Sequence, residues 1–105
     1  MQFTSYLQDG RLIVALTGEI DHSCAKQYID AIASKIEVYA PSECVLDFSQ
    51  VSFMDSSGIA VVINALRNMN RMDGELSVCG LGSQPMRVFL ASGMDKLVEI
   101  KEVLI

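Results

Sequence analysis

Along the chain, apolar positions alternate with polar ones in some stretches and recur every three to four residues in others, and this change of rhythm divides it into strands and amphipathic helices. Phe3 to Leu7, then Asp9-Gly10, then the run Arg11 to Thr17 predict a β-hairpin, because Asp-Gly tolerates the backbone of a tight two-residue turn. The second run is nearly continuously apolar, which marks a central strand covered on at least one face, with Gly18 ending it and Glu19 to Ser23 as its exit loop. From Cys24 to about Tyr39, Ala25, Ile29, Ile32, Ala33 and Ile36 share one helical face, while Lys26, Gln27, Asp30, Lys35 and Glu37 occupy much of the rest. Asp21 or Ser23 is placed to cap this helix, and Ala40-Pro41-Ser42 stops it, since proline disfavours helical backbone in the residue before it.

Glu43 to Phe48 reads as the next strand. An apolar segment then passes through Asp55, Ser56 and Ser57 into a second helix, whose Ile59, Val62, Ile63 and Leu66 recur at the spacing of one buried face. Ser56 or Ser57 is expected to supply its N-cap oxygen, with Gly58 removing bulk beside it. The helix runs to about Met72, Asp73-Gly74 turns the chain, and Glu75 to Gly80 completes a strand-helix-strand unit, which implies a parallel, right-handed crossover. Gly80 to Ser83 is a loop, Pro85 suits the first turn of a third helix with Val88, Phe89 and Leu90 as its apolar face, and Ser92-Gly93 ends it. Leu97 to Ile100 is a last short strand, leaving Lys101 to Ile105 as a tail or a final helical turn. The fold class is therefore α/β, a mixed β-sheet with helices packed against it in a single domain over residues 1–105.

A chain of 105 residues, half of them hydrophobic, has room for one core and not two. Thirteen acids against eight bases give a net charge of −5, which argues against nucleic acid, whose binding calls for a clustered basic face. Met1 to Tyr6 carries no basic region followed by an apolar one, and no apolar run is long enough to span a bilayer, so the expected location is the cytoplasm, without direct membrane insertion. Cys24, Cys44 and Cys79 are widely spaced and odd in number, with no metal or redox spacing; the last two fall in strand-like runs and suit a reducing compartment. No cofactor or metal is implied.

Asp21, His22 and Ser56 have the residue types of a hydrolase triad, but no G-x-S-x-G elbow surrounds either serine, and small residues at a flat rim offer no oxyanion hole. His22 reads better as a solvated loop residue able to donate a hydrogen bond to a partner. Gly80-Leu81-Gly82-Ser83 lacks both a P-loop lysine and the dinucleotide spacing and reads as a turn. The methionines suit core filling, with Met54, Met86 and Met94 as an alternative lining for a partner groove.

Loops leaving the carboxyl ends of strands collect binding groups in such sheets, and Asp21-His22-Ser23 and Asp55-Ser56-Ser57 are both of that kind. Adjacent parallel strands would bring them together. The sequence around the second loop is more specific than a helix cap requires. Val45-Leu46-Asp47-Phe48, followed by Val51-Ser52-Phe53-Met54-Asp55-Ser56-Ser57-Gly58, resembles the signature of anti-sigma factor antagonists of the STAS domain family. Leu16 to His22 and Gly74 to Cys79 are similar to further blocks of that family, so the resemblance spans most of the chain.

In sporulation-type members the serine directly after the aspartate is phosphorylated by the partner anti-sigma factor serine kinase, which the resemblance places at Ser56, with Ser57 capping or lining the site. It implies a binding module, not an enzyme, that sequesters an anti-sigma factor and releases a sigma factor until phosphorylation switches it off. The kinase would bring ATP and magnesium in its own site, and a PP2C-type phosphatase would restore the hydroxyl. The expected partner surface comprises Asp21, His22, Ser23, Asp55, Ser56, Ser57 and Gly58. Other uses of the family fold remain open: a subunit bracing a membrane transporter or lipid-transfer complex, or a stress-sensing scaffold protomer. Many members carry a longer C-terminal helix, so the chain after Ile100 departs from the family pattern and from any partner surface built there.

Overall fold

Asp9 and Gly10 have φ of 53° and 78° in the computed structural model, which describes residues 2–102. A type I′ two-residue turn needs positive φ at both positions, and it folds β1 (Gln2–Gln8) back antiparallel on β2 (Arg11–Ile20). The chain then alternates: α1 (Ala25–Tyr39), β3 (Glu43–Met54), α2 (Ser56–Arg71), β4 (Glu75–Cys79), α3 (Ser83–Ala91), a 3₁₀ turn (Met94–Lys96) and β5 (Glu99–Lys101). Among the described residues the strands form one sheet in the order β1-β2-β3-β4-β5, parallel from β2 onward. The mixed α/β sheet expected from the sequence is therefore present.

Each right-handed crossover steps one strand in the same direction, so α1, α2 and α3 all lie on one face of the sheet. That face carries the main core: Leu12, Val14 and Leu16 of β2, Cys44, Leu46 and Phe48 of β3 and Leu76 and Val78 of β4 meet Tyr28, Ile32, Ile36, Val61, Val62, Met69 and Phe89 from the helices. The Tyr28 hydroxyl donates to the Thr17 carbonyl at 2.8 Å, so α1 is tied to β2 by a hydrogen bond as well as by packing. On the opposite face Ile13, Val45 and Cys79 form a small buried cluster of their own. Beside it the Glu43 carboxylate accepts from Lys101 Nζ at 2.6 Å and lies 3.7 Å from Arg11 Nε, a polar strap across β2, β3 and β5.

Several boundaries differ from the sequence reading. β2 continues through Gly18 to Ile20, and β3 continues past Phe48 to Met54. The register explains why: Ala15 pairs with Asp47 but Thr17 with Gln50, and Gly18 pairs with Val51 but Glu19 with Phe53, so β3 carries an extra residue at each of two bulges. Burial then falls on Phe48, Val51 and Met54, a period of three that looks like neither a strand nor a helix. Cys24 is the N-cap position of α1 rather than its first residue, β4 ends at Cys79, and β5 is Glu99–Lys101, after a 3₁₀ turn that takes up Met94 to Lys96. Lys101 is thus a strand residue. Residues 103–105 of the expected tail lie outside the described residues.

The buried faces are also rotated from expectation. Tyr28 rather than Ile29 sits fully inside α1, Val61, Ala65 and Met69 join Val62 in α2, and Pro85 with Phe89 form the buried edge of α3 while Leu90 is 50% exposed. Met54 and Met94 are core residues, not groove lining, because both point to the helix-covered side.

Burial pushes the Cys44 thiol up to about 12, and burial together with the neighbouring Asp47 charge pushes Cys79 up to about 11. A thiol whose pKa is raised by folding adds stability that is complete below its unfolded value of 9.0 and is lost as pH climbs toward the folded value. Melting temperature should therefore fall steadily between about pH 9 and pH 11, with a shallower slope in Cys44→Ala. In native thiol titration at neutral pH only Cys24, the half-buried one, should react quickly, and all three after denaturation.

Candidate functional site

β2 and β3 reach the same end of the sheet. Ile20 pairs with Met54, and the Asp55 N–H donates to the Ile20 carbonyl at 3.2 Å, so the turn after β2 and the start of α2 are brought side by side as expected. β4 stops five registers into β3, at Asp47, and among the described residues no strand pairs with the far end of β3 on that side. Gln84 at the start of α3 replaces it. Its amide donates from Nε2 to the Met54 carbonyl at 2.8 Å and accepts from the Met54 N–H at 2.9 Å, as a neighbouring strand would. Sequence reading passed over Gln84, and the only local sign of it was a polar side chain beside Pro85 in the first turn of a helix.

The first bulge is held from below. Asp47 accepts the Ser49 N–H at 2.9 Å, and a Cβ on Gly80 would lie 2.7 Å from that same nitrogen and 2.8 Å from the Asp47 carboxylate. With φ of 73° as well, Gly80 is fixed by both space and backbone shape. Asp47 and Gly80 therefore belong to the support of the site rather than to its surface.

Asp55, not a serine, caps α2. Its backbone is extended, its carboxylate accepts the Ser57 N–H at 2.7 Å, and its carbonyl accepts the Gly58 N–H at 2.9 Å. A carboxylate outcompetes a hydroxyl here because it also carries the charge that the positive end of the helix favours. Ser56 is thereby left as the first helical residue with an exposed side chain, and Ser57 is half-buried. Gly58 faces inward: a Cβ there would meet Met54 Sδ at 2.7 Å, so glycine makes room for the core and does not open the rim.

Neither Asp21 nor Ser23 caps α1 with its side chain. The Asp21 carboxylate is occupied by the Ser23 hydroxyl at 2.6 Å and the Ser23 N–H at 3.0 Å, while its carbonyl takes the N–H groups of Cys24 and Ala25. Those two bonds from Ser23 hold its carboxyl below the ordinary range, so it is ionised at neutral pH. The Asp21 carboxylate is thus committed to its own turn, and His22 beside it is exposed.

From Ser56 a shallow apolar groove of about 490 Å³ leads between α2 and α3, lined by Ile59, Ala60, Ile63, Val88 and Ala91. The rim is therefore an exposed hydroxyl beside an acidic cap, at the head of an apolar track. Among the described residues no group of side chains could hold a metal ion, and no helix is long and apolar enough to cross a membrane.

A largely parallel sheet with helices on one face presents the N-terminus of α2 at its rim. The STAS domain model matches residues 2–104, and the chain belongs to that family. It is 32% identical over 93 residues to an anti-sigma-B factor antagonist of Listeria monocytogenes serovar 1/2a, covering 86% of this chain and 78% of that one. It is likewise 32% identical over 91 residues to an anti-sigma F factor antagonist of Paenibacillus polymyxa, covering 87% and 78%. Among solved structures, the Bacillus cell fate determinant SpoIIAA in its phosphorylated form superposes with a TM-score of 0.72 at 25% identity, over 95% of this chain and 91% of that one.

The two Gln84 bonds make a prediction about site rigidity. Gln84→Ala should leave the Met54 N–H and carbonyl without their partner and destabilise the fold by about 1–3 kcal/mol, seen as a lower urea midpoint and faster exchange of the Met54 amide. Unchanged exchange at Met54 would show that the clamp does not hold the end of β3.

Proposed function

We propose that this protein is an anti-sigma factor antagonist: it binds an anti-sigma factor kinase, thereby frees a sigma factor, and is switched off when that kinase phosphorylates Ser56. The observation that carries this reading is the placement of Ser56, the exposed first residue of α2, directly beyond the Asp55 cap and at the head of the apolar groove. The likeness to two antagonists acting on different sigma systems supports it and leaves the identity of the sigma factor open. The protein acts in the cytoplasm as a kinase substrate rather than an enzyme, and a PP2C-type phosphatase resets it.

The proposed switch is local. A phosphate on Ser56 adds roughly −1.5 to −2 charges to a rim that already holds ionised Asp21 and the Asp55 cap. A partner seated on the groove must bring its surface against that anion, and an unmatched charge in an interface costs several kcal/mol, on the order of a hundredfold in affinity. Within the domain the effects nearly cancel. The helix terminus favours an anion by about 0.3–1 kcal/mol, but Asp55 already fills that role and repels a second one.

Incubation with the kinase and ATP, followed by intact mass and site mapping, should place one phosphate on Ser56 and none on Ser56→Ala. Ser57→Ala should still be modified, because the cap uses the Ser57 backbone N–H and not its hydroxyl. Phosphate on Ser57 alone would move the site by one residue.

Calorimetry should show the phosphoprotein binding the kinase about a hundredfold more weakly than the unmodified protein, with Ser56→Asp intermediate. The melting temperature of the phosphoprotein should stay within about 4–8 °C of the unmodified one, the shift that 1 kcal/mol gives a domain of this size. Equal dissociation constants for the two forms would rule out the phospho-switch.

A further inference from the structure

We infer that β1 is a dimerisation edge, at which two copies of this chain pair antiparallel about a twofold axis through Ser5 and join their sheets into one. β1 lies at the edge of the sheet and pairs only with β2 among the described strands. Edge strands are ordinarily blunted by a charged residue, a proline or a bulge. The chain carries 13 acids and 8 bases, yet none falls between Gln2 and Gln8, nor does either of its two prolines. The pairing with β2 also runs from Gln2 to Gln8 without a register shift, so no bulge twists this edge away.

The occupant is identified by the order of side chains along the strand. Antiparallel pairing centred on Ser5 sets Ser5 against Ser5, Phe3 against Leu7 and Thr4 against Tyr6, the last two occurring twice by symmetry. Directly opposed residues of an antiparallel pair point to the same face, and the faces agree. Phe3 and Leu7 sit opposite Leu16 and Leu12 on the helix-covered side, whereas Thr4 and Tyr6 sit opposite Ala15 and Ile13 on the other.

Apolar residues therefore meet apolar ones on one side, and a β-branched residue meets an aromatic on the other, both favourable cross-strand combinations. The two side chains that would gain cover are the ones the monomer leaves open: Tyr6 is 51% exposed and Leu7 45%. The twofold axis stands perpendicular to the sheet, so the helices of both copies lie on the same side. Ser56, on the helix after β3, takes no part in the pairing.

The test is sedimentation of the full chain from micromolar to millimolar concentration, with two double variants on the exposed face of β1. The wild-type chain should dimerise, and its β1 amides should exchange more slowly as concentration rises. Thr4→Lys with Tyr6→Lys sets like charges opposite each other twice and should raise the dissociation constant about tenfold or more. Thr4→Lys with Tyr6→Glu sets opposite charges at the same two places and should recover most of that loss. A wild-type chain that stays monomeric at millimolar concentration, with concentration-independent exchange in β1, would overturn the proposal and leave the edge to a strand from another protein. Equal dimerisation of the two variants would overturn the Ser5-centred register.

Discussion

The extension of β3 beyond its last pairing with β4 is the constraint on which the site depends. From Phe48 to Met54 the strand pairs, among the described strands, with β2 alone, and two bulges bend it as it goes. Gln84 closes the open side at Met54, and Gly80 permits the close approach that seats the first bulge. Met54 is in turn buried beneath Gly58, so the last strand residue and the first turn of α2 are packed as one unit. The position of Ser56 is consequently set by contacts from β2, β4, α2 and α3 together. A serine on an ordinary loop would have no such reference frame.

Electrostatics at the same place are arranged with little slack. The helix terminus offers a favourable field for one anion, and Asp55 takes it by accepting the Ser57 N–H. Asp21 is likewise satisfied by Ser23. Both carboxylates therefore accept hydrogen bonds from within their own loops. Under the phosphorylation proposed for Ser56, the added anion would find those donors occupied.

The two faces of the sheet differ in kind. Parallel strands are ordinarily covered on both sides, and here the helices cover one. The other is closed over Ile13, Val45 and Cys79 by the sheet's own side chains, with Glu43 bridging Arg11 and Lys101. The rim at Ser56 and the β1 edge lie in separate parts of the molecule.

Period and punctuation in the sequence determined the α/β class, the order of elements, the Asp9-Gly10 turn and the two loops that meet at the site, because each rests on interactions within a few residues. Ser56 as the candidate residue was legible from its motif. Only the tertiary structure decided where β3 ends, since bulges convert the two-residue rhythm of a strand into the three-residue spacing of Phe48, Val51 and Met54. It also decided that Asp55 rather than a serine caps α2, a choice between neighbouring oxygens settled by chain direction and charge. The inward turn of Gly58, the burial of Met54 and the Gln84 clamp were invisible beforehand for one reason. Each depends on a partner from another element, 30 residues away in the chain for Gln84, and no local pattern encodes which surface of another element a side chain will meet.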